Sequence, residues 1–192
     1  MDLLSAPIDL DRLASHLDSL THEARVAFIQ AMTARQQADL YDAAKGKRAI
    51  TVNDIVPSST APMSEVIHWG RNSLAMFRLF QKRFCRPDDE AAAAKGELWG
   101  YNHQTMSAFT GPGYFVAYDI PNGEVLIDYT RLPPRGAPGW PKVLSNKARL
   151  SVVIYNGTKD TLRGVSKHVT IGRAARGEKI MDNWFVLCRQ DP

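Results

Sequence analysis

Residues 114–132 read Tyr-Phe-Val-Ala-Tyr-Asp-Ile-Pro-Asn-Gly-Glu-Val-Leu-Ile-Asp-Tyr-Thr-Arg-Leu. Two runs rich in β-branched and aromatic residues, Tyr114 to Ile120 and Val125 to Leu132, flank Asn122-Gly123. That dipeptide best tolerates two successive positive φ angles, so the stretch is predicted to be an antiparallel hairpin. A two-residue loop sets Ile120 opposite Val125, Tyr118 opposite Ile127, Val116 opposite Tyr129 and Tyr114 opposite Arg131, with all eight on one sheet face. Phe115, Ala117, Asp119, Leu126, Asp128 and Thr130 then share the other face.

Beyond the hairpin comes a proline-rich loop, residues 133–141. Leu150, Ile154, Thr161, Leu162 and Val165 favour a helix over residues 150–165, although Val152 to Tyr155 before Asn156-Gly157 also suits a strand and turn. Lys167 to Arg173 and Trp184 to Arg189 alternate as strands around a loop containing Gly177. On the N-terminal side, Leu74, Phe77, Phe80 and Phe84 recur at a spacing that predicts a helix from about residue 73 to Cys85, with Arg78, Lys82, Arg83 and Arg86 elsewhere on it. Glu65 to Trp69 reads as a short strand, and Asp88 to Lys95 as an exposed loop or short helix.

The chain opens with three amphipathic segments. Leu10, Leu13, Leu17 and Leu20 form one apolar stripe; Thr21 caps a second segment carrying Ala24, Phe28, Ile29 and Met32. Thr33 and Gln36 have capping-box spacing, and Gly46 ends the third. Pro57-Ser58-Ser59-Thr60-Ala61-Pro62 breaks the pattern. The expected fold class is α+β, with an N-terminal helical subdomain over residues 1–56, a linker over 57–63, and a mainly antiparallel sheet packed by helices over 64–192.

Composition supports a globular chain that folds without staples, since hydrophobic residues are 44% and charged residues 23% of the 192. Cys85 and Cys188 have neither C-x-x-C spacing nor histidines at metal-ligand spacing, so neither a disulfide framework nor a metal site is expected. Nor do the opening residues have the basic start and apolar core of a secretory leader, and no apolar run reaches membrane-spanning length; the expected setting is cytoplasmic, without a membrane partner. Lys+Arg against Asp+Glu is 12 to 12 over residues 1–96 and 12 to 8 over 97–192, so the whole excess of +4 lies in the second half. Arg163, Lys167, Arg173, Arg176 and Lys179 are its densest part, but no recognised nucleic-acid module accompanies them, and nucleic acid is disfavoured as a partner.

The segment Trp99-Gly100-Tyr101-Asn102-His103-Gln104-Thr105 and the following Gly111-Pro112-Gly113-Tyr114 concentrate ring, amide and imidazole groups. Tyr101, His103, Tyr114, Tyr129 and Arg131 are the predicted ligand-lining residues, because an aromatic wall with one guanidinium suits a planar or anionic molecule. Such a stripe can also simply be packing. His103 is the candidate general acid/base, and His168 on the Lys167 to Arg173 run is a second. Cys85, between basic residues, is the thiol whose pKa they could lower. Gly70-Arg71-Asn72-Ser73, at the start of the predicted 73–85 helix, could hold an anion. No nucleotide or nucleophile-elbow motif occurs. A small-molecule-binding protein is the preferred function, an enzyme using His103 the alternative, and an interaction module built on the N-terminal helices the third; no cofactor is indicated.

Overall fold

The computed structural model describes residues 3–74, 78–103, 112–143 and 157–190. Among these, strands β1 (Val66–Asn72), β2 (Leu79–Cys85), β3 (Leu98–His103), β4 (Tyr114–Ile120), β5 (Glu124–Asp128), β6 (Thr158–Gly164), β7 (Val169–Arg176) and β8 (Lys179–Arg189) run antiparallel in chain order. They form a closed barrel, with β8 pairing back onto β1 so that Gly70 lies opposite Leu187. Closure leaves no unpaired sheet edge. The expected α+β sheet with a separate helical subdomain is therefore corrected to an all-antiparallel barrel carrying a few short helices.

Two expected helices, over 73–85 and 150–165, are strands where they are described, as β2 and β6, and residues 75–77 of the first lie outside the described residues. In β2, Phe80, Lys82 and Phe84 point into the barrel while Gln81 and Arg83 point out. A lysine on the inner face interrupts the apolar alternation and imitates a helical pattern. β6 breaks its alternation in the same way, with Asp160 between Thr158 and Leu162; the 150–156 half of that expected helix lies outside the described residues.

The hairpin exists, but its register is one residue from the expected one. Tyr118 lies opposite Leu126, and Ile127 opposite Ala117. Asn122 and Gly123 do take positive φ, 73° and 68°, yet Ile120 pairs with Glu124, so the loop has three residues. A one-residue slip exchanges the two faces of β4 relative to β5. Phe115, Ala117, Val125, Ile127 and Tyr129 now share the lumen cluster, and Tyr114 and Tyr118 face outward.

Three helices precede the barrel, α1 (Leu10–Ser19), α2 (His22–Ala31) and α3 (Ala34–Ala43); α2 and α3 carry the expected Thr21 cap and Thr33–Gln36 box, and Asp9 caps α1. Their apolar sides, with Leu13, Leu17, Ile29, Met32 and Leu40, pack with Val169, Ile171, Val186 and Cys188 on the outer wall of β7 and β8. A fourth helix, α4 (Val52–Ile55), closes one end of the barrel: Ile50, Val52, Ile55 and Val56 join the lumen cluster. Asp119 accepts from the Val52 amide at 2.7 Å, and the Ile50 amide donates to the Gly123 carbonyl at 2.9 Å. The fifth, α5 (Glu90–Ala94), lies in the β2–β3 connection, where an exposed loop or short helix is expected. No helix of the described residues is long and apolar enough to cross a membrane.

Candidate functional site

Inside the barrel, three cross-strand pairs oppose a phenylalanine to a glycine: Gly70 to Phe80, Gly100 to Phe115, and Gly172 to Phe185. Without a Cβ on the glycine, each ring lies against the wall; a Cβ at these positions would come within 2.7, 2.4 and 2.2 Å of the respective ring. The rings surround the Lys82 ammonium. Its Nζ is 4.7 Å from the Phe185 centroid, 5.0 Å from Tyr129, 5.3 Å from Phe115 and 5.7 Å from Phe80. Aromatic faces at such distances attract a cation.

Three polar groups complete the cluster. Lys82 Nζ donates to Asn102 Oδ1 at 3.1 Å, to Asp160 Oδ2 at 3.2 Å, and to the Tyr129 hydroxyl. Asn102 Nδ2 donates to the Tyr129 hydroxyl at 2.8 Å, and that hydroxyl also hydrogen-bonds Asp160. All three ammonium protons thus have acceptors. Lys82, Asn102, Tyr129 and Asp160 are exposed by only 2%, 3%, 3% and 5%, so the group is shut off from water. Burial lowers the Lys82 pKa and the Asp160 charge opposes that; burial raises the Asp160 pKa and Lys82 opposes that. Desolvation drives both side chains toward their neutral forms.

Toward the closed end, His68 is buried beside these groups, its Nε2 2.9 Å from the Ile55 carbonyl. That contact makes Nε2 the protonated nitrogen. Burial, followed by the charges of Arg189 and Lys82, holds the His68 pKa down at about 3. The ring is neutral and edge-on to Phe84 at 4.9 Å.

The five predicted ligand-lining residues separate. Tyr129 is in the lumen cluster. Tyr101, His103 and Tyr114 stand together on the outer wall, where Tyr101 meets Tyr114 at 5.4 Å, His103 at 6.2 Å and Trp140 at 4.9 Å between centroids. Tyr101 and Tyr114 are buried beneath the 133–141 loop, and the Tyr114 hydroxyl donates to the Pro141 carbonyl. Arg131 is also outside, bonded to Glu97 at 2.6 Å and stacked over Tyr118 at 5.3 Å. His103 has its pKa lowered, first by burial and then by Arg83. The 104–111 stretch between β3 and β4, with Gly111, lies outside the described residues.

Other candidates resolve similarly. Gly70-Arg71-Asn72-Ser73 lies along β1 and its end, so no helix start is present there. Cys85 is buried, and burial pushes its thiol up to about 12, opposite to the activation its basic neighbours suggested. Cys188 is buried and not disulfide-bonded. In the basic stretch, Arg163 stacks on Tyr41 at 3.9 Å and pairs with Glu124 at 2.6 Å, and Arg173 stacks on Trp184 at 4.8 Å. Of the lumen's polar groups, Asn102 lies in the 99–105 segment put forward from the sequence but without a role of its own, Lys82 is expected off the apolar side of a helix, and Asp160 has no expectation attached to it. The period-two spacing of Phe80, Lys82 and Phe84 was the available signal. Neither family models nor curated proteins nor solved structures give a match to this chain.

Proposed function

We propose that the protein is a small-molecule-binding barrel. Its lumen takes a planar ligand whose polar end meets Lys82, Asn102, Tyr129 and Asp160. The observation that carries this reading is a fully buried ion pair, with two neutral hydrogen-bonding partners, in an otherwise aromatic interior. Removing two charges from water costs several kcal/mol per ion, and well-packed hydrophobic replacements often match or exceed the stability of such pairs. A purely structural core therefore gains little from Lys82 and Asp160, whereas a binding site gains convergent donors and acceptors in an apolar surround.

The rings of Phe80, Phe115, Tyr129 and Phe185 suit a flat ligand. With Asp160 beside the ammonium, the site carries little net charge. A carbonyl or hydroxyl can exchange hydrogen bonds with Asn102 and Tyr129, while a carboxylate has to compete with Asp160 for Lys82.

Titration with cinnamyl alcohol and with cinnamate, followed by calorimetry, tests the reading on the wild type and on Lys82→Met/Asp160→Asn. Binding by the wild type, with loss in a double variant that retains its thermal transition, is the expected result. Equal binding by both proteins would place the ligand elsewhere.

A further inference from the structure

We propose that Lys82 forms a reversible imine with a planar conjugated aldehyde held in the lumen. This deepens the binding reading above and rests on it. A lysine nitrogen becomes a nucleophile when it is desolvated and a neighbour can take its proton. Lys82 satisfies both conditions: only 2% of it is exposed, and its Nζ lies 3.2 Å from Asp160 Oδ2. Burial shifts both partners toward the neutral forms that the first proton transfer produces.

Proton transfer from Nζ to Asp160 leaves a free amine lone pair. That pair attacks the aldehyde carbon, the C–N bond forms, and the carbonyl π bond breaks. The new alkoxide takes a proton from Asp160, either directly or through the Tyr129 hydroxyl, which touches both Lys82 and Asp160. A second proton passes from nitrogen to Asp160 and on to the carbinolamine hydroxyl, which leaves as water while the C=N bond forms. The net change is ammonium plus aldehyde to protonated imine plus water, with Asp160 a carboxylate at start and finish. No oxidant or reductant is needed.

The product also fits the surroundings. A protonated imine is a planar cation at the former Nζ, and the four rings at 4.7 to 5.7 Å with the Asp160 carboxylate stabilise a cation there without water. The three glycines under the phenylalanine rings keep these faces turned inward.

The test uses trans-cinnamaldehyde with sodium cyanoborohydride, and cinnamyl alcohol as the ligand without a carbonyl. Peptide mapping by mass spectrometry is expected to place the reduced adduct on Lys82 ahead of the other lysines. Asp160→Asn should bind the alcohol yet form the adduct about 10²-fold more slowly, the usual effect of removing a positioned acid/base. If the alcohol binds in the lumen and Lys82 stays unmodified, the imine is wrong and the binding reading stands. If the alcohol does not bind and adducts scatter over surface lysines, both fall.

Discussion

Gly172 and Phe185 face one another across β7 and β8, and a Cβ on the glycine would lie 2.2 Å from Cζ of the ring. The ring cannot retreat freely, because the Lys82 ammonium sits 4.7 Å from its centroid. Gly172→Ala should therefore overpack the lumen and cost about 1–3 kcal/mol. Thermal denaturation should show this as a fall of about 2–4 °C per kcal/mol. An unchanged transition would mean that the ring is not held against this wall.

Buried His68 gives a pH dependence of defined sign. Its folded pKa of about 3 lies below the ordinary 6.5, so between those values the unfolded chain binds a proton that the folded chain refuses. Stability is full above about pH 6.5 and falls as pH drops toward 3, with a slope approaching about 1.4 kcal/mol per pH unit. Urea denaturation of wild type and His68→Gln across that window isolates the contribution from that of the carboxylates. The wild type should lose more stability on acidification; parallel curves would show that His68 is not buried neutral.

Cys85 and Cys188 should both resist alkylation in the native state, since both are buried and the Cys85 thiol is pushed up to about 12. The thiolate is the reacting form. Iodoacetamide at pH 8 should label neither until denaturant opens the barrel, and labelling should then follow unfolding. Rapid native labelling of Cys85 would contradict its position beneath Trp99 and Ala137.

What the sequence reveals here is what local chemistry decides. Thr21 and Thr33 announce their helices because a side-chain oxygen three residues before an orphan amide caps it wherever the rest of the chain goes. Asn122-Gly123 likewise marks the hairpin. Its register is not local: the Gly123 carbonyl accepts from Ile50, and a Cβ on Gly123 would meet Ala49 at 2.5 Å, a contact made by a segment far away in the chain. The closed barrel is hidden for a related reason. Lys82 and Asp160 occupy inner positions of β2 and β6, so both strands lose the apolar alternation that identifies a half-buried strand. Tyr129 alone of the lumen group was legible as a site residue, and only as part of an aromatic stripe; its partners are brought in from β2, β3 and β6 by barrel closure.

Function and stability can be separated at Lys82 and Asp160. Lys82→Met alone leaves the Asp160 carboxyl buried without its ammonium partner, and Asp160→Asn alone leaves the ammonium without its carboxylate. Either single change should cost about 3–5 kcal/mol, because the penalty is a buried charge deprived of its counter-ion. The double variant Lys82→Met/Asp160→Asn removes both charges, while Asn102 still donates to the Tyr129 hydroxyl as it does at 2.8 Å in the native protein. It should recover most of the loss, giving a coupling energy in the double-mutant cycle that is large and favourable to the pair. Chemical denaturation of the four proteins measures that cycle. If the double variant regains native stability, the ion pair is not there for the fold, and its retention falls to the lumen's ligand. Additive losses would instead make Lys82 and Asp160 independent structural residues and remove the physical basis for a site in the barrel.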